Sequence, residues 1–141
     1  MNSDKDLKDI LLSTKTIASV GLSGNQEKES YWIASYLKDQ GYHVIPVNPT
    51  ATEILGEKAY PNLESVPEKI DVVQVFRRPE DVPPVVDAAI KAGAKVVWMQ
   101  EGIVNEEAAQ KAREAGLQVV MDACMRATHP RLIGAKPIQL R

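Results

Sequence analysis

Short apolar runs alternate with amphipathic segments along the chain, and this alternation limits the possible folds more than any other feature. The apolar runs are rich in β-branched residues and occupy positions 16–20, 43–47, 71–76, 95–99 and 117–121. Between them, apolar residues recur at helical spacing over positions 31–40, 79–92 and 106–115. Because parallel strands need crossover connections, which helices normally supply, the sequence predicts an α/β fold. We expect one Rossmann-like, doubly wound domain over residues 1–141, with a five-stranded, mainly parallel sheet and helices on both faces.

Polar residues mark where the predicted helices begin. A short N-terminal helix over residues 4–12 has Ser3 as its expected cap. Ser30 is expected to open the helix at 31–40, and Asn105 is expected to cap the helix at 106–115.

Two stretches of the chain carry weaker patterns. Glycine and proline between residues 50 and 69 predict a loop with no more than one helical turn, and the tail after residue 121 contains Pro130 and Pro137. We expect the five strands to lie in the order 3-2-1-4-5, with the topological switch point beside the first strand.

Charge and hydropathy bear on partners and location. The chain has 17 Lys and Arg against 19 Asp and Glu, for a formal net charge of −2, so nothing indicates nucleic acid or an anionic membrane as a partner. No apolar run approaches membrane-spanning length, and residues 1–12 lack the apolar core of a signal peptide. We therefore expect a cytoplasmic protein.

Cysteine and histidine are too few and too scattered for a metal centre. Cys124 is the one cysteine, and the two histidines, His43 and His129, lie far apart in the sequence. Neither a disulfide framework nor a metal site is predicted.

The loop after the first strand has the composition of a phosphate cradle. Ligands of open parallel sheets bind outside the carboxyl ends of the strands, where helix N-termini present unpaired N–H groups. This loop offers glycines for close backbone approach, polar side chains and one cation: Gly21, Gly24, Ser23, Asn25, Ser30 and Lys28. A plain turn is the alternative, because the dinucleotide pattern Gly-x-Gly-x-x-Gly is absent.

The next two strand ends help to define the ligand. An NAD site needs an acidic residue after the second strand, but Asn48 and Pro49 stand there, which disfavours NAD and leaves a ribose phosphate possible. Arg77 and Arg78 follow the third strand and could clamp a phosphate between two guanidinium groups. A solvated pair that caps a loop is the alternative.

Taken together, five segments resemble a known family. They read VGLS at 20–23, SY at 30–31, GYHVIPVNP at 41–49, VFRR at 75–78 and WMQEGI at 98–103. In this order they resemble the small, stand-alone CoA-binding proteins, a family that is similar to the N-terminal CoA-binding domain of the succinyl-CoA synthetase alpha subunit.

The resemblance implies a coenzyme A site at the strand ends. A nucleotide-phosphate loop would comprise Gly21 to Gln26, with Lys28 and Ser30 beside it. Asn48 and Pro49 would border the adenosine, and Phe76 with Arg77 would line the pyrophosphate or ribose. The pantetheine arm would be faced by Met99, Gln100 and Glu101.

The chain also departs from the family in two places. Thr50 and Ala51 stand where the synthetase has a lysine, and Thr128 precedes His129 where the family commonly has glutamate.

The expected function is binding of coenzyme A or acyl-CoA without catalytic machinery, with a partner enzyme as a possibility. His129 could be a base or a phosphate carrier, but a hydrogen-bonded loop histidine is the simpler interpretation. Cys124 could react with the CoA thiol, or be a small buried apolar side chain. The alternatives are a small NADP-linked or acyl-CoA-using enzyme and an interaction protein with an emptied pocket.

Overall fold

The computed structural model describes residues 2–136 and confirms the predicted α/β fold. The strands are β1 (Thr16–Val20), β2 (His43–Val47), β3 (Glu53–Ile54), β4 (Glu57–Lys58), β5 (Val72–Val75), β6 (Val96–Met99) and β7 (Gln118–Val120). The α-helices are α1 (Asp4–Ser13), α2 (Glu29–Asp39), α3 (Val82–Lys91), α4 (Glu106–Glu114) and α5 (Met125–Leu132). In the described part of the chain, no helix is both long and apolar enough to cross a membrane.

The two faces of the sheet bury separate sets of apolar side chains. Successive strand residues point to opposite faces, so Ile17 packs on the side of α1, α2 and α5, whereas Ala18 packs on the side of α3 and α4. Both are fully buried. Helices therefore cover both faces, as burial of a parallel sheet requires.

The predicted strand order is wrong. The five-stranded sheet has the order β2-β1-β5-β6-β7, with all pairs parallel, so the third long strand lies beside the first and not outside the second. The outer edge of β2 is occupied by Tyr60, which forms a parallel bridge with Val47. The switch point consequently falls between β1 and β5.

Asp71, just before β5, ties that strand to the start of β1. One carboxylate oxygen, Oδ2, accepts hydrogen bonds from the backbone N–H groups of Lys15 at 2.9 Å and Thr16 at 3.0 Å. Lys95 Nζ lies 3.5 Å from the other oxygen, Oδ1. Burial would raise the pKa of Asp71, but the N–H donors and Lys95 outweigh it and hold the pKa below its ordinary value.

Several local predictions are corrected. Ser30 is the second residue of α2, whose N-cap is Lys28. Residues 50–69 contain the β3–β4 hairpin as well as the expected single turn, a 3-10 helix at Leu63–Ser65. The tail contains α5, which accommodates Pro130 inside the helix, and Pro137 lies outside the described residues. The caps predicted at Ser3 and Asn105 are confirmed.

Gly21 occupies the point where the backbones of β1 and β5 diverge. Its φ is +90°, and a Cβ atom there would lie 2.9 Å from the carbonyl oxygen of Phe76. Its own N–H donates to the carbonyl of Val47. Because only glycine tolerates both this φ and this contact, the switch point depends on the absence of a side chain at position 21.

We expect Gly21→Ala to lower the free energy of unfolding by about 1–3 kcal/mol, because it combines left-handed strain with a backbone clash. Gly24→Ala is the matched control, since a Cβ there would meet only Ile54 Cγ1 at 3.6 Å, and it should change stability by about 0.5 kcal/mol or less. Urea unfolding of both variants measures the difference. Equal effects of the two substitutions would contradict the assigned role of Gly21.

We expect Asp71→Ala to cost about 1–3 kcal/mol at pH 7, because two backbone N–H groups lose a charged acceptor. The pKa of Asp71 is lower in the folded than in the unfolded state, so its contribution is complete above the unfolded pKa of about 4 and is lost as pH falls through the folded value. The stability difference between wild type and variant should therefore shrink below pH 4.

Asp87→Ala serves as the control for this measurement. Asp87 forms an exposed ion pair with Lys111, which should contribute about 1 kcal/mol or less. A wild-type–Asp71→Ala difference that stays constant from pH 7 to pH 2.5 would rule out the carboxylate as its source.

Candidate functional site

Two hollows lie at the carboxyl ends of the strands around the switch point. The larger has a volume of about 380 Å³ and is lined by Val20, Gly21, Val47, Pro49, Pro61, Asn62, Leu63, Glu64, Arg77, Asp81, Pro84, Val85 and Ala88. The smaller has a volume of about 130 Å³ and is lined by Glu29, Ser30, Ile33, Phe76, Gln100, Glu101, Ile103 and Cys124. We call them the large hollow and the small hollow.

The end of β5 separates the two hollows. Phe76 lines the small hollow and its neighbour Arg77 lines the large one. The carbonyl of Phe76 is also the group that Gly21 approaches closely. An extended ligand that crosses the backbone at Gly21 could therefore reach both hollows.

The loop after β1 is shaped by its own side chains. Ser30 Oγ accepts the N–H of Ser23 at 3.1 Å, and Ser23 Oγ accepts the N–H of Asn25 at 3.0 Å. Asn25 in turn accepts the N–H of Glu27 through Oδ1 and the N–H of Lys28 through its carbonyl. These hydroxyl and amide oxygens are thus engaged in holding the loop.

The loop leaves donors exposed to solvent at the start of α2. Gly24, Asn25, Gln26 and Lys28 are exposed, and the Lys28 side chain makes no hydrogen bond that caps the helix. The unpaired N–H groups of a helix's first turn attract anions. The predicted cradle residues are therefore brought together, although residues 22–28 line neither hollow.

Asn48 fastens this loop to the end of β2. Its Nδ2 donates to the carbonyl of Leu22 at 3.0 Å, and its Oδ1 accepts the N–H groups of Thr50 and Ala51. Asn48 lines neither hollow, whereas Pro49 lines the large one. Asn48 therefore acts on the edge of the site by fixing its backbone.

The two arginines after β5 have different surroundings. Arg77 lines the large hollow. Arg78 lines neither hollow, and its Nε lies 3.3 Å from Glu80 Oε1 and 3.4 Å from Asp81 Oδ2. The geometry favours Arg77 alone as an anion contact, rather than the predicted pair.

The three residues predicted to face a pantetheine arm do not all lie at the candidate site. Met99 is fully buried in the core on the α3–α4 side, away from both hollows. Gln100 and Glu101 line the small hollow, Gln100 with only 3% of its surface exposed and Glu101 at the solvent boundary.

A chain of buried polar groups leads to Gln100 across the sheet. Ser19 Oγ donates to Gln74 Oε1 at 2.6 Å, and Gln74 Nε2 donates to Gln100 Oε1 at 3.3 Å. The N–H of Met125, at the start of α5, donates to the same Gln100 oxygen at 3.2 Å. Because a backbone N–H can only donate, this last contact fixes which end of the Gln100 amide faces α5.

Sequence reasoning missed most of the apolar walls. Ile33 and Ile103 form part of the small hollow, and the large hollow is built mainly from residues of 61–64 and 81–88. The apolar residues in these walls are equally typical of a core, so nothing in the sequence distinguishes a cavity wall from a packed one. Cys124, which sequence reasoning considered as a thiol partner, lies in the small hollow and is half-buried.

The histidines lie away from this site. His129 is buried in α5, with Nδ1 2.8 Å from the Tyr36 hydroxyl, and it lines a different cavity together with residues 14–16 and 40–43. Burial, reinforced by Lys136, lowers its pKa. His43 contacts Glu57 and Glu68. Among residues 2–136, no group of three or more His, Cys, Asp or Glu side chains could hold a metal ion.

Two known proteins are similar to this chain over almost their whole length. The chain is 43% identical over 127 residues to the uncharacterized protein YneT of Bacillus subtilis (strain 168), covering 90% of this chain and 94% of that protein. A solved hypothetical protein from Pyrococcus horikoshii OT3 superimposes with a TM-score of 0.92 at 45% identity, covering 94% of each chain.

A larger enzyme contains a related segment. The ADP-forming acetate–CoA ligase II of Archaeoglobus fulgidus is 31% identical over 104 residues, which cover 72% of this chain but only 15% of the ligase. The family model for the CoA binding domain matches residues 15–130. The chain therefore belongs to the CoA binding domain family.

Proposed function

We propose that this chain binds coenzyme A or acyl-CoA across the β1–β5 switch point and acts as a binding module without chemistry of its own. The observation that carries the proposal is the pair of hollows on either side of Phe76 and Arg77, with the glycine loop beside them. Coenzyme A needs this combination, because it joins a nucleotide to a long thiol-ended arm through a pyrophosphate.

The large hollow suits the adenosine end. Its walls include Pro49, Leu63 and Val85, which offer apolar surface to a purine ring. Arg77 adds a guanidinium group that can pair with a ribose phosphate or pyrophosphate oxygen. The exposed loop at Gly24 and Lys28, before α2, would meet the pyrophosphate.

The small hollow suits the thiol end. It combines apolar walls with the amide of Gln100 and the carboxylate of Glu101, and it lies across the Gly21–Phe76 contact from the large hollow. With the pantetheine arm in the small hollow, Gln100 and Glu101 would contact it, as the sequence predicts. Met99 would act indirectly, because it packs in the core beneath the strand.

Similarity to the ligase supports coenzyme A as the ligand of this chain, but it does not support ligase activity. The ligase of Archaeoglobus fulgidus uses CoA by its name, but this chain matches only 15% of its length. We therefore propose that this chain shares the binding of coenzyme A with the ligase. We do not extend the ligase activity to it. The single cysteine and the balanced charge are in keeping with work in the cytoplasm on a small-molecule ligand.

Calorimetric titration with CoA, 3′-dephospho-CoA and NADP tests the proposal. We expect CoA to bind, NADP to bind at least tenfold more weakly (about 1.4 kcal/mol), and removal of the 3′-phosphate to reduce affinity. Binding of NADP in preference to CoA, or no binding of CoA, would overturn it.

We expect Arg77→Ala to weaken CoA binding by about 1.5–3 kcal/mol, the range for a hydrogen bond to a charged group. Arg78→Ala should cost less, because its guanidinium is engaged with Glu80 and Asp81. Arg113→Ala is the remote control, since Arg113 lies on α4 in a different cavity. Unchanged affinity in Arg77→Ala would remove that residue from the site.

A further inference from the structure

The small hollow has room for more than a thiol. Its volume is about 130 Å³, which exceeds the roughly 10–15 Å³ that a single water molecule needs. Ile33, Phe76 and Ile103 supply apolar surface. A short acyl chain fits within such a space, whereas a fatty acyl chain would extend beyond it.

Gln100 gives the small hollow a directed hydrogen-bond donor. Its Oε1 already accepts from Met125 N–H and Gln74 Nε2, and Nε2 has no hydrogen-bond partner within residues 2–136. Every fully buried polar side-chain atom in that range is partnered, so Nε2 is not fully buried, and Gln100 lines the small hollow. An unpartnered amide donor on a residue with only 3% of its surface exposed can take an acceptor such as a carbonyl oxygen.

The charged residues that line the small hollow are both acidic. Glu29 and Glu101 line it and are exposed, and no Lys, Arg or His is found among the described residues that line it. Two carboxylates at the solvent boundary would repel an acyl group that ends in a carboxylate. They would affect a neutral acyl group much less.

We propose that the small hollow is an acyl site, which takes the short, uncharged acyl group of an acyl-CoA and disfavours dicarboxylic acyl groups. Gln100 Nε2 donates to the thioester carbonyl, and Ile33, Phe76 and Ile103 surround the alkyl end. Glu29 and Glu101 disfavour a terminal carboxylate by repulsion. This inference rests on the proposed function, because the acyl group reaches the hollow only if CoA binds across the switch point.

Affinity ratios measured by calorimetry test this acyl site. CoA, propionyl-CoA, butyryl-CoA and succinyl-CoA are titrated into wild type and into the double variant Glu29→Gln with Glu101→Gln. In wild type, succinyl-CoA should bind about five to ten times more weakly than butyryl-CoA, as two partly screened carboxylates allow. The double variant should reduce that ratio to about twofold or less. The ratio is taken within each protein, so a change in the affinity for the CoA part shared by both ligands cancels.

Glu27→Gln is the matched control. It removes a carboxylate two residues before Glu29, but Glu27 does not line the small hollow, so the succinyl-to-butyryl ratio should stay at its wild-type value. If wild type binds succinyl-CoA as tightly as butyryl-CoA, or if the double variant keeps the wild-type ratio, the acyl site is refuted while CoA binding stands. If CoA itself fails to bind, the proposed function fails and the acyl site fails with it.

Infrared difference spectroscopy tests the role of Gln100 without a substitution in the core. With propionyl-CoA labelled by ¹³C at the thioester carbonyl, the bound carbonyl stretch should lie at lower frequency than in an apolar solvent, as for a carbonyl that accepts a hydrogen bond. A stretch at the apolar-solvent position would exclude Gln100 Nε2 as the donor.

Discussion

The parallel pairing of β1 with β5 is the constraint on which the rest of the structure depends. Asp71 fixes the start of this pair by accepting two backbone N–H groups from the first strand, and Gly21 fixes its end by letting the two backbones approach before they diverge. The crossovers then leave in opposite directions, which opens the edge of the sheet at this one place. Both hollows and the loop before α2 lie around that opening.

The buried polar chain links the same strand pair to the candidate site. Ser19 in β1 and Gln74 in β5 are fully buried, in positions where an apolar residue would normally stand. Polar groups in a core are tolerated only when they are hydrogen-bonded, and here the bonds continue through Gln100 to the backbone of Met125. The sheet interior therefore orients the Gln100 side chain at the candidate site and fastens the start of α5 to it.

The sequence was sufficient for the fold class because fully buried strands and amphipathic helices leave distinct periodicities. It was insufficient for the strand order, because the predicted and the observed order use the same strands. The observed order depends on tertiary contacts, in which Tyr60 covers the edge of β2 and Asp71 contacts the start of β1. Helix α5 was missed because Pro130 normally interrupts a helix. At the candidate site, motifs singled out the loop, Arg77, Gln100 and Glu101, which lie around the two hollows. They could not show that Asn48 is held by backbone groups, that Arg78 pairs with acids or that Met99 points into the core, because these outcomes are set by tertiary contacts.

Backbone amide chemical shifts recorded during titration with CoA locate the bound ligand on the fold without a substitution. If CoA binds across the β1–β5 edge, the largest changes should fall in residues 21–30, at Arg77 and in residues 100–103, which surround the switch point. The cavity beside His129, lined by residues 14–16 and 40–43, should remain unperturbed. Changes centred on that cavity, or no changes at millimolar CoA, would contradict binding across the β1–β5 edge.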